Sequence, residues 1–470
     1  MRKIKIEAII TLSLAALVLV IGLAGMYILQ NGENSSATEA IDYMQYAKIY
    51  EEDEQYQNAV SVYLKVLESD EDNEVALHGI AKAYNELQLD ADAEYIYGKL
   101  YELNAATEDE ILEYANAKIR LGRLDQAKEI IEEVYSEESS AGIKNLYLQM
   151  HIDAPEFNYS SGTYDEYLLL ELTDVPDYAN VYYTTDGDEP TVDSNMISDA
   201  VVVSAPSNHI KAKAIGYLGY ESDTIELNID ITVPVEEVKL DYSRNRIIYE
   251  VGYDVFGKNY SNTITNYELA QVRSIYAVGN RVEAEHFDAE LYEDSYSVYD
   301  SRNYDKGDID TASLRYFPFL KELVIGYQRD FDMNDLKGLK YLEDLSLMNN
   351  GITDISALAD CKSLRRLCLG WNEISDISVL AGMDLETLGL WNNAISDVSA
   401  VSGMNNLTYL DITNNQVSDI SPVAGNENLS EFWLSGNLVK DLSVLDDCSR
   451  LMTIYYDHNP ITDYGRFGKE

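Results

Sequence analysis

Three carboxylates, Asp186, Asp188 and Glu189, fall within four residues and follow two tyrosines in the stretch VYYTTDGDEPT at 181–191. Acids so closely spaced can form a general acid/base pair, ligate calcium, or accept hydrogen bonds that close a β corner. A second acidic run, Asp330–Asp335, begins like a calcium loop. Its sixth position is Asp335, where glycine must make the sharp turn, and its twelfth is Tyr341, where a bidentate glutamate is required. It reads as a solvated loop, and so does DKGDID at 305–310. The histidines, His78, His151, His209, His286 and His458, are scattered, and none lies in H-E-x-x-H. G-x-S-x-G, a phosphate-cradling glycine loop and C-x-x-C are also absent from the sequence. These residues point to no enzyme, no cofactor and no metal centre. The three cysteines, Cys361, Cys368 and Cys448, are too few and odd in number for a disulfide framework.

The 470 residues suffice for about three domains. A balance of 34 basic against 83 acidic residues gives a formal charge of −49. That charge argues against nucleic acid, whose binding needs Lys and Arg on phosphates. It argues equally against anionic lipid or anionic polymer unless divalent cations bridge the two. With 46% apolar residues, the chain is a folded protein with an acidic surface and not an acidic disordered one. At the start, Arg2, Lys3 and Lys5 precede an uncharged run, residues 8–29. Those 22 residues would span about 33 Å as a helix, enough for a hydrocarbon core of ~30 Å. The basic flank before them and Glu33, Glu39 and Asp42 after them predict a single-pass anchor, with the N-terminus cytoplasmic and the bulk extracytoplasmic at the cell surface.

Between residues 40 and 141 the period is 34. Ala47, Ala81 and Ala115 keep that step, as do Ala59, Ala93 and Ala127, with larger residues following at Tyr63, Tyr97 and Ile131 and at Leu67, Tyr101 and Tyr135. Small residues at two fixed positions let paired helices approach closely. The pattern resembles the tetratricopeptide repeat in three copies, although its usual turn proline is replaced by Glu71 and Ala105. From 153 to about 233, short β-rich runs such as YLLLEL, NVYYTT, AVVVS, HIKAKAI and DTIELNIDI are separated by turn residues at sandwich-like spacing. In this setting Asp186-Gly187 reads as a tight turn and Pro190 as a ladder stop, so the acids of the opening stretch are expected to form a corner. The segment resembles the non-catalytic C-terminal domain type of chitobiase and β-hexosaminidase, most specifically at YYTTDGDEPT.

From about Ile264 the period becomes 22. Asn350, Asn372, Asn393, Asn415, Asn437 and Asn459 are separated by 22, 21, 22, 22 and 22 residues, and Leu345, Leu367, Leu388, Leu410, Phe432 and Ile454 step identically. The form L-x-x-L-x-L-x-x-N-x-I-x-D-I-x-x-L, as in LEDLSLMNNGITDISAL, resembles the leucine-rich repeat of the internalin-like, 22-residue variety. Two degenerate units precede the six clear ones, and Arg246–Phe256 reads as an amphipathic N-terminal cap. The expected architecture is therefore multidomain: an N-terminal transmembrane helix (1–30), a tetratricopeptide α-solenoid (38–150), a β-sandwich (151–235), then an α/β leucine-rich-repeat solenoid (240–470). One unit cannot bury its leucines alone, so stacking must build the core. The asparagines are expected to bond backbone where each strand turns. Asp354, Asp376, Asp397, Asp419, Asp441 and Asp463 are expected to accept backbone N–H groups at the following turn. Cys361 and Cys448 share a column four repeats apart, roughly 19 Å at ~4.8 Å per strand, too far for a disulfide.

Side chains alternate along a strand, so the third, fifth and seventh positions of each unit face the concave surface. Trp391, Trp433, Tyr409 and Tyr455 occupy these columns, with Asp411, Arg366, Glu431 and Asp457 around them. Large aromatics serving the core would stand at leucine positions, and these do not. They are the expected ligand-binding residues, because exposed aromatic clusters mark interfaces. The resemblances imply a non-catalytic, membrane-anchored protein that binds extracellular or envelope proteins for adhesion or scaffolding. The alternative is a glycan-binding accessory protein in which Trp391 and Trp433 stack on sugar rings.

Overall fold

A computed structural model of the chain describes residues 36–175, 177–259, 261–284 and 306–468. They belong to two compact units. One comprises the described residues up to Ala154 together with Pro176–Asn180 and Lys213–Asp223, and the other comprises the remainder.

The first unit is a stack of seven helices: α1 (Ser36–Glu52), α2 (Tyr56–Leu67), α3 (Glu74–Glu86), α4 (Asp90–Glu102), α5 (Glu108–Arg120), α6 (Leu124–Val134) and α7 (Ala141–Met150). Each packs mainly on its successor. All six alanines of the 34-residue period are fully buried. Two starts are fixed by side chains that accept orphan backbone N–H groups: Asn73 from Ala76, and Thr107 from Glu110 in a capping box closed by the Glu110 carboxylate. Residues 213–223 join this unit through Tyr220, whose hydroxyl donates to Leu124 O at 2.8 Å. The expected fold class and localisation need correction at the N-terminus. No helix among the described residues is long and apolar enough to cross a membrane. The longest here, α1, has 17 residues and carries charged side chains along its length. The 8–29 segment invoked for a single-pass anchor lies outside the described residues.

The β-rich region has strands β1 (Glu156–Phe157), β2 (Gly162–Tyr164), β3 (Leu168–Asp174), β4 (Ala179–Thr184), β5 (Asn195–Met196), β6 (Ala200–Val203), β7 (Ser207–Gly216) and β8 (Ile225–Ile231). They form one sheet of order β1-β3-β6 and another of order β2-β8-β7-β4-β5. Leu168, Leu170, Val201, Val203, Ile210, Ile229 and Ile231 make a common core between the sheets. The acidic stretch is a corner: Gly187 sits at φ +86°, Asp186 Oδ1 accepts the Asp188 N–H at 3.1 Å, and Thr184 donates to Asp188 O at 2.6 Å. Asp199 of this sandwich accepts from Arg273 (3.0 Å) and Lys321 (3.2 Å), so the sandwich and the following solenoid are tied within the second unit.

A two-stranded ribbon of β9 (Glu237–Lys239) and β10 (Thr263–Thr265), with helices α8 (Arg246–Asp254) and α9 (Asn266–Leu269), opens the solenoid. α8 buries Ile247, Ile248 and Val251. The nine-stranded sheet follows: β11 (Ser274–Val278), the antiparallel β12 (Arg281–Ala284), then β13 (Glu322–Gly326), β14 (Asp344–Ser346), β15 (Arg366–Cys368), β16 (Thr387–Gly389), β17 (Tyr409–Asp411), β18 (Glu431–Trp433) and β19 (Thr453–Tyr455). From β13 onward the strands are parallel and in register, so leucine stands beside leucine: Leu345, Leu367, Leu388, Leu410, Phe432, Ile454. These residues belong to one apolar core that runs from the cap to the last repeat.

Behind each strand the asparagine ladder carries the turn. Asn372, 8% exposed, donates through Nδ2 to Leu347 O (2.8 Å) and Leu369 O (2.9 Å), and its Oδ1 accepts the N–H groups of Asn350 (3.0 Å) and Ile352 (3.1 Å). Asn415, Asn437 and Asn459 make the same two donations, each with one accepted N–H, from Ile395, Val417 and Val439. The aspartate ladder is different in kind. Asp354, Asp376, Asp397, Asp419 and Asp441 are exposed, and each accepts one backbone N–H two residues on, at 2.8–2.9 Å, where a short 3-10 turn begins. The residue before each asparagine takes a left-handed conformation. Asn349, Asn392 and Asn414 suit it, but Trp371 is held there at φ +57° with half its surface in solvent.

These differences give two expectations. Asn372→Ala strands two buried N–H donors and two carbonyls and should cost about 3 kcal/mol, whereas Asp376→Ala loses one exposed capping bond and should cost far less. Urea unfolding midpoints compare the two, and equal losses would contradict the assignment. Trp371→Asn relieves an unfavourable left-handed tryptophan and should stabilise by about 1 kcal/mol, a rise of about 2–4 °C in Tm by calorimetry. A fall would show that the exposed indole packs more than its exposure implies.

Candidate ligand-binding face of the leucine-rich repeats

Strand register places the concave side chains in rows. One row runs Thr387, Tyr409, Glu431, Thr453 and the next runs Gly389, Asp411, Trp433, Tyr455. Further along the units lie Trp391, Thr413, Ser435 and Asp457. All eight residues expected to bind therefore stand on β15–β19 or just beyond them, but their environments divide.

Trp391 is not an exposed ring. Only 1% of its surface is accessible, and it forms an apolar cluster with Met348 and Cys368 apart from the leucine core. The reason is a pair of glycines. A Cβ on Gly370 would lie 2.2 Å from the indole Cε2, and one on Gly389 would lie 2.3 Å from Cζ3. The ring fills the space that those two missing side chains leave on the sheet. Burial also pushes the Cys368 thiol up to about 12, so this cysteine stays protonated and unreactive. Asp411, another expected contact, is fully buried, and its Oδ1 accepts the Thr413 N–H at 2.8 Å. It reaches a ligand only through its charge. Arg366 is engaged too: its Nε donates to the buried Asp344 at 2.7 Å.

What stays open is the C-terminal end of the face. Trp433 is half-buried, Tyr455 is 44% exposed, and their ring centroids are 4.2 Å apart with the planes tilted by 40°. The indole Nε1 donates to Glu431 Oε1 at 2.6 Å, which fixes the carboxylate beside the ring. Tyr409 sits next to Glu431 on the neighbouring strand, half-buried. Burial, followed by the charges of Asp411 and Glu431, raises its phenol, which stays a neutral hydroxyl at physiological pH. Asp457 is exposed at the rim. The structure thus brings Tyr409, Glu431, Trp433, Tyr455 and the Asp411 charge together, and sets Trp391 and Arg366 apart. The aromatic pair presents apolar area with an oriented carboxylate, an arrangement suited to recognition.

All three cysteines are free and buried. Among the described residues, no group of three or more His, Cys, Asp or Glu side chains is placed to hold a metal ion. A hollow of about 580 Å³ lies within the helical unit, but its polar groups largely satisfy one another: Tyr63 donates to Glu51 at 2.6 Å, Lys82 pairs with Glu51 at 3.2 Å, and His78 meets Glu110 at 2.5 Å. Sequence reasoning missed the covering of Trp391. The signal was there in Gly370 and Gly389, which leave the concave columns empty on either side of it.

Comparison with known proteins agrees with this organisation in part. Leucine-rich repeats are matched twice, at 342–382 and 384–425, and the chitobiase/β-hexosaminidase C-terminal domain is matched at 159–226. No curated protein matches the chain. Among solved structures, the chain is similar to internalin C2 of Listeria monocytogenes, with 22% identity over 50% of this chain and 94% of that one and a TM-score of 0.41. It is also similar to the internalin inlF of the same organism, with 25% identity over 48% and 61% and a TM-score of 0.40. A leucine-rich-repeat protein of Leptospira interrogans is 20% identical over 34% and 42%, with a TM-score of 0.30. The chain carries leucine-rich repeats and a chitobiase/β-hexosaminidase C-terminal domain.

Proposed function

We propose that this chain is a non-catalytic binding protein, serving adhesion or scaffolding, that takes a partner protein on the concave face of its leucine-rich repeats at the Trp433–Tyr455 end. One observation carries the reading: two large rings are left partly in water on a face where Trp391 is covered. Exposed aromatic clusters are characteristic of interfaces, and Trp and Tyr are enriched among the residues that dominate their energetics. Leucine-rich-repeat domains commonly bind proteins, which favours the same reading. The helical stack, if of tetratricopeptide type as its 34-residue period suggests, supplies a second surface for protein contact. The glycan alternative loses support because Trp391 offers no ring to a sugar.

The test compares the full-length chain, a Trp433→Ala/Tyr455→Ala double variant and a Tyr95→Ala control in crosslinking capture from the native cells. Tyr95 is 72% exposed and belongs to the helical unit, not to the unit that carries the site. The double variant should lose capture of the principal partner by about tenfold or more while its circular dichroism and Tm hold. Equal capture by all three proteins would remove this face from the function.

A further inference from the structure

We propose a second binding site on this chain. Trp371, with the carboxamides of Asn349 and Asn392 to either side, takes a neutral β-linked oligosaccharide by stacking its indole on the C–H face of a pyranose ring. The site lies just beyond the concave columns and does not depend on the protein-docking face described above.

The residue before each ladder position belongs to a column of its own: Tyr327, Asn349, Trp371, Asn392, Asn414, Gly436 and His458, all at positive φ. One backbone bond recurs along it. The Asn349 N–H donates to Gly370 O at 3.1 Å, the Trp371 N–H to Trp391 O at 2.9 Å and the Asn392 N–H to Thr413 O at 2.8 Å. Sharing that conformation, the side chains meet from repeat to repeat: Asn414 Nδ2 donates to Asn392 Oδ1 at 2.9 Å, and a Cβ on Gly436 would fall 2.2 Å from Asn414 Oδ1.

Two observations mark Trp371 within this column. A left-handed backbone is unfavourable for a bulky side chain, and the asparagines and glycine at four other members show what the turn prefers. Half of its surface is also in water, so packing does little to offset that strain. A strained residue that the fold does not need points to binding. The neighbours define the ligand. Among the described residues, Trp371 Nε1, the Asn349 carboxamide and Asn392 Nδ2 have no protein hydrogen-bond partner. A pyranose with equatorial substituents offers a flat C–H face to the indole and hydroxyls at its edge, where amides both donate and accept. The flanking groups are uncharged and the chain carries −49, which disfavours an anionic sugar. One indole bordered by amides supplies far less apolar area than the roughly 800 Å² each partner contributes to a stable protein interface. Tyr327, half-buried, precedes Trp371 by two repeats, about 10 Å, a separation that suits alternate rings of an extended β-linked chain.

The test is isothermal titration of the full-length chain with cellohexaose and chitohexaose, and with maltohexaose, whose α-linkages curl the chain, as the reference. At least one β-linked sugar should bind about tenfold or more tightly than maltohexaose. Trp371→Asn should weaken that binding about tenfold or more while Tm holds or rises, so unfolding cannot account for the loss. Trp371→Phe, which keeps a ring, should retain part of the affinity. Asn349→Gly keeps the left-handed backbone while removing the amide and should weaken binding severalfold. The Trp433→Ala/Tyr455→Ala variant should bind the sugar as the unaltered chain does. Failure of both β-linked sugars to bind, or binding that Trp371→Asn leaves intact, would overturn the inference. Loss of protein capture by Trp371→Asn without any sugar binding would assign the indole to protein docking and overturn it equally. Either failure leaves the concave-face reading standing, because that reading is tested through Trp433 and Tyr455.

Discussion

A solenoid of one-strand repeats must satisfy a row of buried backbone groups wherever its strands turn, and the asparagine side chains meet that demand. Each one donates to carbonyls of its own and the preceding unit and accepts backbone N–H groups from the preceding unit, so neighbouring repeats are joined through buried hydrogen bonds in addition to the leucine core. Buried peptide groups without partners are costly, which makes the ladder intolerant of substitution. The single shortened step, between Asn372 and Asn393, shows where the repeat can yield. The residue is dropped from the turn leading into the strand, where Met383, Asp384 and Leu385 stand for Met404, Asn405, Asn406 and Leu407 of the next unit. Asn393 still donates to Leu369 O and Leu390 O and accepts the Ile374 N–H.

Because leucines and asparagines carry the fold, the outward positions of each strand are released from structural duty and can be given to recognition. They are used in two ways. Around Trp391 the columns hold Gly370 and Gly389, and the indole packs down into the gap beside Cys368 and Met348. Around Trp433 the adjoining positions hold Asp411, Glu431 and Tyr455, side chains that keep the indole raised, oriented by its own hydrogen bond and partly in water. The same residue type in adjacent columns thus becomes filler in one place and a contact surface in the other.

That contrast marks how far the residues alone could be read. The 34- and 22-residue periods were legible because each repeat must solve the same packing problem: buried alanines where helices approach, leucines facing the core, asparagine at the turn. The corner at Asp186–Asp188 was legible because Asp-Gly fits a tight turn. Alternation along a strand says which way Trp391 points but not what lies against it, and that depends on Gly389 of its own strand and Gly370 of the preceding repeat. Asp411 was hidden for a similar reason, since its complete burial is set by neighbours in three dimensions. The left-handed column of Asn349, Asn392 and Asn414 makes Trp371 an outlier visible in the repeats, yet its φ becomes clear only from the backbone. The membrane-spanning helix was inferred from apolar length, a property that no helix of the described residues has.

The central claim, that the repeats cover one tryptophan and present another, is tested most directly by hydroxyl-radical footprinting of the full-length protein. Trp433, Tyr455 and Trp371 should oxidise readily in the free protein while Trp391 stays protected. Oxidation of Trp391 at the rate of Trp433, under conditions where the protein remains folded, would contradict it.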